Sequence, residues 1–302
     1  MILRIRYLVL VALLALGIYA GGQLLPLASG DPVSLTAAPT PSQALTTQTA
    51  VPTPTRAAAT PQPTPTRQQP TPAPDLAPTC ARIDALDEAE RTLALSQLTW
   101  APDYAGAVVL PSCNLAGENT PRAVVLHYTR GSLVGAVSRF QSPNEASAHY
   151  VVDRDGRVYQ MIPERYGAYH ASCRGERSYC QAACPICEDE QGHFLEPYSQ
   201  SIGIEIVNWG PVGDPAAFTE YPLYEDYNQA YGYRYWEDYS PEQVAAVKAL
   251  VEDICARWNI PLDPAHVFGH ARVNKKADPG PALNLFWDRY GEPPREAIWP
   301  QP

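Results

Sequence analysis

The chain has 302 residues, a formal net charge of −10 at pH 7 and 45% hydrophobic residues, which gives room for one sizeable domain plus extra segments. The acidic balance, with no long basic cluster, argues against nucleic-acid binding. No P-loop and no Rossmann glycine pattern is present, so a nucleotide-phosphate cradle is excluded as well.

Arg4 and Arg6 precede an apolar run from Tyr7 to Ala20, which resumes weakly at Leu24 and Leu25. Residues 1–30 therefore read as a signal peptide or a membrane anchor. The run is short against the about 20 residues of a span, and both cleavage after Ala20 and continuation through Leu25 stay open. No cysteine follows closely, which argues against a lipoprotein anchor. On either reading the rest of the chain is extracytoplasmic, secreted or held at the membrane by this segment. Residues 31–79 are mostly Pro, Thr, Ala and Gln, as in Val51-Pro52-Thr53-Pro54-Thr55. Such a stretch cannot bury a core. It is expected to be a disordered, semi-rigid linker that gives reach from a membrane.

The folded domain is assigned to residues 80–302, with folding starting near Asp75. Asp84–Gln97 is expected to be helical. Ala107–Leu110 and Ala123–His127 read as strands, the second nearly all apolar and so central. Ser132–Phe140 reads as a short helix. Ser147–Asp153 and Val158–Ile162 flank Asp155-Gly156, a hairpin signal. In Ser201–Asn208, Ile202, Ile204 and Ile206 share one strand face, while Gly203, Glu205 and Val207 share the other. Residues 211–239 form an aromatic-rich insertion whose rings are expected to pack more than to bind. Ser240-Pro241-Glu242-Gln243 is a helix start with a capping box. The stripe Val244, Val247, Val251, Ile254 and Trp258 should seat that helix on the isoleucine face. The opposite face is left for a site.

Seven cysteines suit an oxidising compartment. Cys80 and Cys113 are placed to pair. Cys173, Cys180, Cys184 and Cys187 form either two bridges, in one of three pairings, or a second, structural zinc site. Cys255, on the helix stripe, is expected to be a buried free thiol.

The stretch His266–Pro281, HVFGHARVNKKADPGP, delivers His270 from a short apolar run and Asp278 from a stiff Pro-Gly-Pro turn. A His and a carboxylate held this way can supply two of the three protein ligands of a catalytic zinc with an open fourth position. His127, closing the central strand, is the candidate third.

Five segments together resemble the zinc-dependent N-acetylmuramoyl-L-alanine amidases of the type-2 amidase and peptidoglycan-recognition-protein family. They are VVLHYT (124–129), SAHYVVDRDGRVYQMIPE (147–164), AYHAS (168–172), SIGIEIVN (201–208) and FGHARV…KKADPGPALN (268–284). They occur in the family's order and span nearly the whole folded part. The resemblance implies an α/β fold: a mixed central β-sheet flanked by helices, with zinc in a groove on one face. It implies His127, His270 and Asp278 as metal ligands, Glu205 as the catalytic acid/base, and Lys276 facing the scissile carbonyl oxygen. His149 and His170 match positions near the groove, with substrate-contact or supporting roles; Tyr150 and Asn208 join them as substrate-binding candidates. Relatives with a catalytic Tyr carry it where this chain has Ala148, which moves the acid/base work to Glu205. Tyr150 is expected to share a strand face with Ala148 and Val152. The implied activity is hydrolysis of the bond between N-acetylmuramic acid and L-alanine by a monomer acting on peptidoglycan or muropeptides. The rival from another class is a non-catalytic peptidoglycan-binding module, whose usual sign, loss of the third ligand, is not met at Asp278.

Overall fold

The computed structural model describes residues 75–286 except 174 and 176, together with 298 and 299. The signal or anchor segment 1–30 and the linker up to residue 74 lie outside the described residues. The fold begins before residue 80. Leu76 is buried and Ala77–Asp84 is helical, tied on by the Cys80–Cys113 disulfide. The helix expected over 84–97 starts only at Glu88, because Asp84 ends the first helix. Asp87 caps this second helix, Glu88–Gln97, its side chain accepting the Glu90 N–H at 2.9 Å.

Among the described residues, eleven strands follow in chain order: β1 (Val108–Val109), β2 (Leu115–Glu118), β3 (Ala123–Tyr128), β4 (Tyr150–Val152), β5 (Val158–Gln160), β6 (Tyr166–Ala168), β7 (Ser201–Ile206), β8 (Pro211–Val212), β9 (Leu223–Glu225), β10 (Tyr235–Glu237) and β11 (Val267–Gly269). Six of them make one sheet in the order β1-β5-β4-β7-β3-β11. Only the β4–β5 pair in it is antiparallel, so the sheet is mixed as expected. β4 and β5 form the hairpin turning at Gly156, whose φ is 80°. A Cβ there would meet the Glu242 carbonyl oxygen at 2.7 Å, so glycine serves both the turn and the close approach.

The two faces of β7 part as the alternation predicts. Ile202, Ile204 and Ile206 are fully buried against Val247, Leu250, Val251 and Ile254 of the helix Pro241–Trp258. Each such isoleucine contributes roughly 1.5–3 kcal/mol relative to exposure. The helix starts in the expected capping box of Ser240 and Gln243. Cys255 is free and buried on its inner side, burial pushing its thiol up to about 12. On the other face, Val151, Met161 and Val207 pack with Phe140 and Ala136 of the helix Leu133–Gln141, which Ser132 caps. Helices thus cover both faces, and the second one leaves the end of β3 open.

Tyr150 does not share a face with Ala148. β4 starts only at Tyr150, so the alternation does not reach back to 148. Tyr150 lies in the isoleucine core, while Ala148 lies on the Phe140 side. The insertion forms a three-stranded antiparallel sheet, β8-β10-β9. Its packing role holds for Trp236 and Tyr239, both buried, with the Tyr239 hydroxyl donating to the Pro279 carbonyl at 2.9 Å. The four clustered cysteines form two bridges, Cys173–Cys180 and Cys184–Cys187. No described helix is long and apolar enough to cross a membrane.

Candidate metal centre

β3 runs between β7 and β11, parallel to both. His127 stands beside Glu205 in the β3–β7 register, and Leu126 stands beside Gly269 in the β3–β11 register. His270, the residue after β11, therefore emerges next to His127. The turn carrying Asp278 folds back on this strand end, with the Ala271 N–H donating to the Asp278 carbonyl at 3.2 Å. Gly269 permits that approach: a Cβ there would lie 2.3 Å from Pro279 Cδ.

The three expected ligands converge. His127 Nδ1 lies 3.0 Å from His270 Nδ1 and 2.9 Å from Asp278 Oδ2, and His270 Nδ1 lies 3.0 Å from the same oxygen. All three side chains are buried. Burial and then the neighbouring His270 bring His127 down to about 4, so its imidazole is neutral at pH 7. Burial works against charge on Asp278, but its contacts with the two imidazoles hold it below the usual carboxylate range.

Proton positions follow from the chain of partners behind His127. Ser201 donates its hydroxyl to the Pro197 carbonyl at 2.6 Å, so its oxygen is left to accept from His170 Nε2 at 3.3 Å. His170 Nδ1 then accepts from His127 Nε2 at 3.0 Å. His127 is thereby held with a bare Nδ1 aimed at His270 and Asp278. The bare Nδ1 of His127 and the Asp278 carboxylate, 2.9 Å apart, repel one another unless a cation or a proton carried by His270 Nδ1 lies between them. A two-imidazole, one-carboxylate set suits a divalent transition metal, so the residues present fit the ion that the resemblance implies.

Around this triad opens a cleft of about 600 Å³ that takes in Glu205, His170 and Lys276. Glu205 Oε2 is closed off from solvent and has no hydrogen-bond partner among the described residues. Burial, and then the Asp278 charge, push the Glu205 carboxyl well above its ordinary value, with the Arg139 guanidinium pulling the other way. Lys276 lines the cleft and Lys275 does not.

Three expected substrate-binding residues stand elsewhere. Tyr150 is fully buried on the helix side of the sheet, its hydroxyl donating to Glu164 Oε1 at 2.7 Å. His149 is buried behind the site, accepting the Gly203 N–H at Nδ1 and donating from Nε2 to the Tyr166 carbonyl. Asn208 is buried and spent on backbone, its oxygen accepting the Gly210 N–H and its amide donating to the Glu237 carbonyl. In each case local backbone groups or a buried carboxylate already use the polar atoms that substrate would need. His170 does line the cleft, but its ring nitrogens face His127 and Ser201. Sequence reasoning missed Arg130 and Arg139, which also line it. The available signal was Arg130 falling three residues past His127, and Gly135, Ala136, Arg139 and Phe140 recurring at helical spacing.

Residues 117–281 match the family described as N-acetylmuramoyl-L-alanine amidase (Amidase_2). The chain is 25% identical over 169 residues to N-acetylmuramoyl-L-alanine amidase AmiD of Escherichia coli (strain K12), covering 53% of this chain and 49% of that protein. It is 36% identical over 76 residues to N-acetylmuramoyl-L-alanine amidase A of Achromobacter lyticus, covering 24% and 43%. The chain thus spans about half the length of the curated relatives it matches. Among solved structures, the E. coli AmiD complex with anhydro-N-acetylmuramic acid-L-Ala-D-gamma-Glu-L-Lys aligns with a TM-score of 0.38 at 24% identity, covering 56% of each chain. With more than half of its residues inside the matched segment, the chain belongs to the N-acetylmuramoyl-L-alanine amidase family.

Proposed function

We propose that this protein is a zinc-dependent amidase that hydrolyses the bond between the lactyl group of N-acetylmuramic acid and L-alanine in peptidoglycan. The observation that carries this reading is the 2.9–3.0 Å convergence of His127, His270 and Asp278 beside Glu205 and its cleft. The substrate class follows the AmiD complex, which holds a muramoyl peptide with L-Ala and a γ-linked glutamate.

Zinc held by His127, His270 and Asp278 would polarise the amide carbonyl and acidify the attacking water. Glu205 takes the proton from that water and returns it to the leaving amine. Its burial suits both halves of the cycle, because a carboxyl pushed upward takes up a proton more readily than an ordinary one and can then hand it on. Lys276, in the same cleft, faces the scissile carbonyl oxygen and stabilises the charge that develops there. His170 and Ser201 hold His127 in the tautomer that keeps Nδ1 bare. An N-terminal segment that exports the chain, with a Pro/Thr spacer behind it, sets this chemistry outside the cytoplasm, and the protein acts as a monomer.

Purified protein incubated with sacculi should release stem peptides with a free N-terminal L-alanine, seen by mass spectrometry, and a chelator should stop the release. Tight sacculus binding with no released peptide would instead mark a recognition module.

A further inference from the structure

Three residues beyond His127, where β3 ends, Arg130 adopts φ 56°. A side chain with a Cβ is disfavoured there, and Gly131, which would accept the conformation freely, is the next residue. The turn is nevertheless fixed from several sides. Thr129 N–H donates to the Ile206 carbonyl at 3.0 Å and Gly131 N–H to the Asn208 carbonyl at 3.2 Å. The Thr129 hydroxyl donates to the Gly131 carbonyl at 3.1 Å and accepts the Asn208 N–H at 3.3 Å. Strain that the surroundings over-determine in this way is a mark of functional positions.

Arg130 lines the same cleft as Glu205 and Lys276, and it is exposed. The cleft has two other cations. Arg139 is paired with Glu145 at 3.5 Å, and Lys276 faces the scissile carbonyl on the reading above. Arg130 makes no hydrogen bond or ion pair within the described residues. In a chain of net charge −10, this leaves one unpaired guanidinium on a fixed backbone at the cleft, a fork that matches a carboxylate in two-point fashion.

We propose that Arg130 binds a carboxylate of the stem peptide near the scissile amide, the α-carboxylate of the γ-linked glutamate, and so selects stems in which that group is free. This inference rests on the amidase reading for its substrate. The test uses two muramoyl peptides that differ only in carrying a carboxylate or a carboxamide at that position. The wild type should favour the carboxylate form by at least about tenfold in kcat/KM, as a charge-assisted pair implies. In Arg130→Gly the ratio should fall to near one, with no drop in the thermal midpoint because glycine suits the φ angle. Arg130→Lys should keep part of the preference. A wild type that does not discriminate, or an Arg130→Gly variant that keeps the full ratio, overturns the assignment. The same two peptides are also titrated into the protein in a Glu205→Gln background. A binding preference that depends on Arg130 there, with no cleavage by the wild type, would sustain the carboxylate site and sink the amidase reading.

Discussion

Glu205 occupies a place that a carboxylate would not hold without a task. One of its oxygens is shut away from solvent with no partner among the described residues, a condition that costs stability in a purely structural residue. Glu205→Gln keeps the size of the side chain and removes its proton transfer. The variant should bind zinc as the wild type does and lose about 10²–10⁴-fold in kcat; turnover near the wild-type rate would rule Glu205 out as the base. Lys276 is exposed at the cleft and on the proposed reading faces the scissile carbonyl oxygen, so its contribution should appear at the transition state more than in substrate binding. Lys276→Ala should lower kcat by about 10²–10³-fold, with a smaller change in KM. A KM effect with kcat intact would make Lys276 a binding residue only. The meeting of His127, His270 and Asp278 was legible in the sequence, from a strand end and a stiff turn, whereas Glu205 and Lys276 were singled out by the family resemblance. That Tyr150, His149 and Asn208 do not line the cleft was not legible, since no spacing rule reports which buried partner a polar side chain has already found.

At the scale of elements, β7 does two jobs with its two faces. The isoleucines seat the long helix, and the other face supplies Gly203 and Glu205 to the site. Gly203 is there for room, because a Cβ would lie 2.3 Å from His170 Cγ and 2.6 Å from its Nδ1. Gly203→Ala must push the imidazole away from His127, which should weaken zinc binding about 10–100-fold, as loss of a ligand's supporting contact does. Competition against a chelator of known affinity measures this, and an unchanged zinc affinity would separate His170 from the metal centre. The alternation of β7, the capping box of the long helix and the Asp-Gly hairpin were readable because each is local. The helix start at Glu88 also had a local signal, the N-cap Asp87 three residues before Glu90, which an unbroken run of helix formers concealed. The late start of β4 had none. Ser147 accepts the Tyr169 N–H and donates to the Asn114 carbonyl, tertiary contacts that draw residues 147–149 out of regular alternation.

The molecule as a whole carries neutral imidazoles where water does not reach, and that sets its response to acid. His149 is fully buried, and burial, against the pull of its Tyr166 carbonyl contact and of Glu164, lowers it from 6.5 to about 4. Between those values the unfolded chain binds a proton that the folded chain refuses. Stability is therefore complete above about pH 6.5 and falls as the pH drops towards 4. The loss from this one group is roughly 3 kcal/mol. Denaturant unfolding across pH 4–7 should show that decline, and His149→Gln should flatten it; an equal slope in the variant would assign the acid sensitivity elsewhere.

Titration of zinc into the metal-free protein bears most directly on the account. One ion should bind per chain, binding should vanish in His127→Ala, and it should persist in Glu205→Gln. Equal zinc affinity in His127→Ala and the wild type would contradict the proposal that the ends of β3 and β11 and the Asp278 turn meet to hold a metal.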